Sequence, residues 1–139
     1  MQYDDIRESM NRNNCHALSI NEIEHRELVS MKTGKTFSKS AILTDFFEFK
    51  DLFVHHEILE PGKQASAPHR HTSCEEMIVV LEGCPTLYLG DLVRQLKPGD
   101  FVGFNPVSQE LHFIENTTDE EVRFLVICSN PKSDQTIYN

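Results

Sequence analysis

The stretch that decides the fold is PHRHTSCEEMIVVLEG, Pro68 to Gly83. Two histidines, His69 and His71, stand one residue apart. Two carboxylates, Glu75 and Glu76, follow shortly after, and an apolar run then ends at Gly83. Side chains on a strand alternate between its faces, so His69 and His71 project the same way while Arg70 points out. Two imidazoles side by side can hold one metal ion. If the chain turns back antiparallel after residues 72–74, either Glu75 or Glu76 comes to lie beside them. A fourth donor is available in His112, within ELHFIEN. Three imidazoles and a carboxylate suit a borderline divalent ion such as Zn, Fe, Mn, Ni, Co or Cu. Around an octahedral ion they leave two positions open for water, dioxygen or a bidentate substrate.

The apolar run has a message of its own. Along EMIVVLE, Met77, Val79 and Leu81 share one face and Ile78 and Val80 the other, so the strand is apolar on both sides. Such a strand is covered on both faces. One cover is the barrel interior. The other is a second sheet, the N-terminal segment or a partner chain, which makes a homodimer the expected assembly.

Outward from this strand the pattern repeats. LFVHHEILEPGK reads as a strand ending at Pro61–Gly62, and FVGFNP, ELHFIENTTDEE and VRFLVICSNP as further short strands. TLYLGD and LVRQLKPGD read as a hairpin around Gly90–Asp91. Evenly spaced short strands with Gly and Pro turns and no long helical pattern predict an all-β sandwich or barrel. The expected organisation is an N-terminal extension over residues 1–45, packed on the barrel or on a partner, then the barrel over 46–130. Residues 131–139 read as a tail, either loose or exchanged with a partner.

The chain of 139 residues fits one domain, and 39% hydrophobic with 25% charged residues is a globular composition. A formal net charge of −9 argues against general nucleic-acid or anionic-membrane binding, which need a basic face. No apolar run approaches the roughly 20 residues of a membrane span. The start, MQYDDIRESMNRNN, has no apolar core of a secretory signal, so a cytoplasmic location is expected. There the cysteines Cys15, Cys74, Cys84 and Cys128 are free thiols. The other histidines read as structural: His16 and His25 lie in poorly patterned sequence, and His55 and His56, being adjacent, point to opposite faces. Cys74 reads as an inert, partly buried thiol and Tyr88 as a packing residue.

The quoted stretch, extended back to Gly62, resembles the first motif of the cupin superfamily, G-x5-H-x-H-x3,4-E-x6-G, with one extra residue after Gly62. The six-residue spacing back from Gly83 makes Glu76 the family glutamate and places Glu75 in the variable spacer. GDFVGFNPVSQELHFIEN resembles the second motif through Gly99, Pro106, His112 and Asn116. It departs from that motif by one residue before Pro106 and one between Pro106 and His112. The resemblance implies a small double-stranded β-helix (jelly-roll) barrel, commonly dimeric. It also implies a divalent transition metal held by His69, His71, Glu76 and His112. Glu75 and Asn116 are candidates for the outer hydrogen-bond partners that such ligands need. The chain is similar to small single-domain cupins, some of them described as like sugar-phosphate isomerases. The expected function is a metal-binding barrel that acts on or binds a small molecule. The open alternatives are a dioxygenase, isomerase or decarboxylase, a non-catalytic carbohydrate-type binding barrel, and a barrel whose metal site has decayed.

Overall fold

The structure, a computed structural model, describes residues 17–138. Cys15 and His16 lie outside the described residues. The strands are β1 (Arg26–Val29), β2 (Thr36–Ile42), β3 (Leu52–Leu59), β4 (Arg70–His71), β5 (Glu76–Glu82) and β6 (Thr86–Leu89). After them come β7 (Leu92–Gln95), β8 (Phe101–Phe104), β9 (His112–Glu115), β10 (Val122–Ser129) and β11 (Thr136–Ile137). Six of them form one antiparallel sheet in the order β1-β2-β3-β10-β5-β8. Opposite it, β7-β6-β9 form a second sheet and β4 pairs with β11. Single bridges at Gln64↔Glu115 and His69↔His112 tie the strip before β4 to β9, so these pieces make one wall. This is the double-stranded β-helix that the motif resemblance implied.

The two walls close over a core of Leu59, Val80, Leu87, Ile114, Val122 and Phe124. These residues fall on alternate positions of their strands, which sends one side of each strand inward. Removing a side chain such as Phe124 or Leu59 from this core costs about 2–5 kcal/mol. Gly83, which closes the quoted stretch, sits at φ +77°, and a Cβ there would lie 2.7 Å from the Glu121 carbonyl oxygen. A side chain at this position is therefore strained by backbone and by contact alike. The expected hairpin at Gly90–Asp91 is present, with Leu89 paired to Leu92.

Within the expected N-terminal extension, residues 26–29 and 36–42 supply strands to the large sheet. β2 pairs with β3 through Ala41↔His56, and β1 pairs with β2. Around them Leu18, Ile23, Ala41, Leu43 and Phe46 make a small second cluster. His56 points to this side, away from the barrel interior, and is fully buried there. Its Nδ1 lies 2.7 Å from His25 Nε2, and His25 Nδ1 lies 3.3 Å from the Ile23 carbonyl oxygen. One tautomeric chain satisfies both contacts: His56 Nδ1–H donates to His25, and His25 Nδ1–H donates to Ile23. His25 and His56 are thus packing residues that tie β1 down onto the sheet.

The tail supplies a strand to the second wall. β11 pairs with β4 of its own chain through Thr136↔His71 and Ile137↔Arg70. On β5, Ile78 and Val80 face the core, as the alternation requires, while Met77 and Leu81 stay about two-fifths exposed. The described N-terminal residues cover the β2–β3 side of the sheet and leave this outer strip open.

Candidate metal centre

β4 and the bridge before it place His69 and His71 on the inner wall. β9 delivers His112 beside them, and β5 brings Glu76 across from the large sheet. Donor atoms of His69, His71 and Glu76 all lie within 4.8 Å of one another. His71 Nε2 is 3.2 Å from Glu76 Oε2, and His112 Nε2 is 3.1 Å from Glu76 Oε1. The His69 and His112 rings stand 4.6 Å apart. The two added residues of the second motif do not displace His112. They are absorbed in an exposed turn after Pro106, where Asn105 Oδ1 accepts from Val107 N and Asn105 O from Ser108 N. The bridge to His69 and a parallel stack on Phe104, with centroids 3.6 Å apart, hold the His112 ring in place.

The outer nitrogens are held as well. His69 Nδ1–H donates to the Ala67 carbonyl oxygen at 2.9 Å, and His71 Nδ1–H donates to Asp134 Oδ2 at 2.8 Å. With a proton held on Nδ1, Nε2 is the nitrogen that faces the cluster and would give its lone pair to an ion. Metal bonds of about 2.1 Å set neighbouring donors roughly 3.0–3.4 Å apart. The spacings of both imidazoles from Glu76 are already of that size. His69, His71 and Glu76 therefore fit one divalent transition ion, with His112 beside Glu76 as a further donor.

The electrostatics agree. Burial raises the pKa of the Glu76 carboxyl, but the hydrogen bonds from His112 and His71 outweigh it and hold the group well below the usual carboxylate range. The hydrogen bond to Glu76, followed by that to Asp134, pushes His71 up to about 9 against the opposing effect of burial. Burial pushes His69 down. Before any ion enters, a proton on His71 occupies the place that a cation would take.

Asp134 is the residue that the sequence did not disclose. The β4–β11 pairing brings it in from the tail. Its Oδ1 accepts from Ser73 N and Cys74 N, both at 2.9 Å, while Oδ2 holds His71. Glu75 and Asn116 are not brought to the cluster. Glu75 is exposed on the other face of the chain. The Asn116 amide is fully engaged in a turn: it donates to the Leu59 and Glu120 carbonyls and accepts from Thr118. Cys74 is buried, its thiol donates to the Ser129 carbonyl oxygen at 3.1 Å, and burial pushes its pKa up, so it remains a protonated thiol. Tyr88 stacks on Phe113 at 4.5 Å.

Beside the cluster opens a cavity of about 370 Å³. Phe53, Phe113, Phe124 and Tyr138 contribute apolar walls, and Ser66 and Asn130 contribute polar groups. Its acidic lining residues are Glu57, Glu76 and Asp134. Among the described residues no lysine or arginine lines it. His55 also lines it, against the expectation that both β3 histidines are merely structural. The alternation of β3 concealed this. Val54, His56 and Ile58 lie on the outer face of the strand, and Phe53, His55 and Glu57 face the cavity.

Two packed antiparallel sheets with a cluster of imidazoles and one carboxylate on the inner wall define a class: jelly-roll barrels with a candidate metal centre in the cavity. The family model for the Cupin domain matches residues 55–128, and the chain belongs to that family. Auxin-binding protein 1 of Arabidopsis thaliana is 35% identical over 97 residues, covering 64% of this chain and 48% of that protein. The chain thus spans about half the length of this curated relative. Among solved structures, a cupin-superfamily sugar phosphate isomerase from Silicibacter pomeroyi superposes with a TM-score of 0.79 at 26% identity. That match covers 89% of this chain and 82% of the other. The polyketide cyclase RemF from Streptomyces resistomycificus superposes with a TM-score of 0.70 at 19% identity, over 90% and 87% of the two chains, and shares the fold.

Proposed function

We propose that this chain is a metal-dependent barrel in which His69, His71, Glu76 and His112 hold one divalent transition ion and the adjoining cavity takes a small oxygenated molecule. The observation that carries the reading is the convergence of imidazole Nε2 atoms on one buried carboxylate, with the Nδ1 atoms of His69 and His71 fixed by outer acceptors. When bound, the ion supplies Lewis acidity, polarising a carbonyl or hydroxyl oxygen of the ligand. The protein supplies the rest. Phe53, Phe113 and Phe124 exclude water from the ligand's carbon skeleton, Asp134 keeps His71 in its ligating tautomer, and Phe104 keeps His112 in line.

The lining also narrows the ligand. A phosphate group carries close to two negative charges near neutral pH. Away from the end held by His71 and the proposed ion, it would meet Glu57 and no lysine or arginine among the described lining residues. The likeness to a sugar phosphate isomerase therefore supports a polyhydroxy or hydroxy-carbonyl ligand, and the lining supports one without phosphate. A second reading, binding without turnover, draws support from the 35% identity to a protein named for binding auxin. A thermal-shift titration of chelator-treated protein with Mn, Fe, Co, Ni and Zn tests the metal reading. The melting temperature is expected to rise for at least one ion in the native chain and to stay flat in Glu76→Gln. Equal rises in both would remove the ion from this site.

The open strip of Met77, Leu81 and Phe101 on the outer sheet face supports a homodimer as the working assembly. Light scattering is then expected to give about twice the chain mass of 16.0 kDa. A monomer at micromolar concentration would contradict that expectation.

A further inference from the structure

The cavity holds a second constellation, outside the metal cluster. On β3, Glu57 is buried, and it accepts hydrogen bonds from Ser38 Oγ and His55 Nδ1. The Ser38 hydroxyl is also 3.4 Å from the Ala65 carbonyl oxygen. The His55 side chain keeps 19% of its surface accessible, against 3% for Glu57. Among the described residues nothing bonds His55 Nε2. A carboxylate on Nδ1–H fixes the tautomer and leaves Nε2 with a free lone pair in the cavity. That is the arrangement of a general base held in position by a buried acid.

A packing role explains these residues poorly. A buried carboxylate is costly to maintain, and apolar side chains would fill the same volume at less cost to stability. Phe53 and Leu59, on the same strand face, do fill it that way.

The sheet register places this pair relative to the metal cluster. β10 lies between β3 and β5, with Cys128 opposite both Phe53 and Glu76, and Val126 opposite both His55 and Ile78. His55 therefore stands two strands across and two residues along from Glu76, about 12 Å between Cα atoms on ordinary strand spacings. Both side chains project into the cavity, so the distance between their tips is that of a small ligand. Val126 and Ile78 form an apolar floor between them.

We infer that His55, held by Glu57 and Ser38, is the proton-transfer base for an unphosphorylated α-hydroxy ketone whose oxygens are gripped at the His69/His71/Glu76/His112 end. This rests on the metal reading and adds to it a base, a reaction class and a substrate class. His55 Nε2 removes the proton from the carbon next to the carbonyl. The C–H electron pair becomes the C=C bond of an enediolate, and the carbonyl π pair moves onto oxygen. Returning a proton from His55 Nε2–H to carbon, as the oxygen pair re-forms the C=O bond, regenerates the hydroxy ketone, with no oxidant or reductant involved. Glu57 fixes the His55 tautomer at rest and stabilises the imidazolium that forms when His55 takes the proton.

The test uses Zn-loaded protein in D2O with dihydroxyacetone and D-xylulose, and with dihydroxyacetone phosphate as the phosphorylated counterpart. Loss of the proton signal at the carbon next to the carbonyl reports exchange. Metal content is measured on every sample, and 15N NMR of His55 in the metal-free chain reports its tautomer. The expected result is exchange with the two free ketols, slower exchange with the phosphate ester, and an Nδ1–H tautomer for His55. His55→Gln is expected to exchange at least about 100-fold more slowly with full metal content. Glu57→Gln is expected to shift the tautomer and slow exchange with full metal content.

Several results would overturn the inference while leaving the metal reading intact. They are full metal content with no exchange of any free ketol, an undiminished rate in His55→Gln, or faster exchange of the phosphate ester. Loss of metal in His55→Gln would make the residue a support of the cluster, which also overturns it. Absence of metal from the native chain is the separate failure of the underlying reading.

Discussion

At the scale of single residues the candidate metal cluster is assembled from both walls of the barrel, and its outer support comes from the tail. His69, His71, Glu76 and Gly83 are legible as a spacing, because a strand fixes which residues share a face and a turn glycine fixes where the strand ends. The choice of Glu76 over Glu75 follows from that spacing, and the structure puts only Glu76 beside the imidazoles. Asp134 carries no such local signal. It lies 63 residues from His71 in the chain, and only the β4–β11 pairing makes them neighbours. Asp134 both fixes the His71 tautomer and binds the backbone of Ser73 and Cys74, so its loss should loosen the cluster while sparing the core. Asp134→Asn is expected to weaken metal binding by about 10–100-fold, the usual effect of losing an outer partner. Competition with a fluorescent chelator measures it, and unchanged affinity would mean that the tail carboxylate is idle.

At the scale of elements, the two-sided covering of β5 is legible in its apolar pattern, while β3 carries no pattern that singles out its inward face. β5 carries Ile78 and Val80 inward in accord with its hydrophobicity. β3 turns its polar residues His55 and Glu57 toward the cavity, while a small cluster of Leu18, Ile23, Ala41, Leu43 and Phe46 packs on the other side, and hydrophobicity alone has no means of distinguishing two covered faces. The His25–His56 contact ties residues 23–29 to that outer side. Burial, reinforced by the nearby His25 and Arg123, lowers His56 to about 4 from an ordinary value of 6.5. A depressed histidine pKa means that the unfolded chain binds the extra proton. The stabilisation is full above pH 6.5 and is lost as the pH falls through 6.5 toward 4, at up to about 1.4 kcal/mol per pH unit. Urea unfolding between pH 7.5 and 4.5 should therefore show a falling midpoint, with a shallower fall in His56→Leu. An identical slope in that variant would assign the acid sensitivity elsewhere.

At the scale of the whole molecule, the barrel is a rigid holder that leaves one mixed face for chemistry. The two walls meet over an apolar core at one end and stay apart at the other, where the cavity, the imidazoles and the tail strand are gathered. The all-β barrel is legible in the sequence because short strands, Gly and Pro turns and a two-residue side-chain period all agree. Strand order and the closing of the second wall by β11 arise from long-range pairing, which no local pattern records. Among the described residues no helix is long and apolar enough to cross a membrane. The central claim is that this architecture exists to hold one ion. The most direct measurement is the metal content, by elemental mass spectrometry, of protein purified without added metal and after reloading. The account predicts close to one divalent transition ion per chain, falling to near zero in His69→Ala and Glu76→Gln while both variants remain folded by circular dichroism. Failure of every divalent transition ion to load the native chain, or full loading of the Glu76→Gln variant, would contradict it.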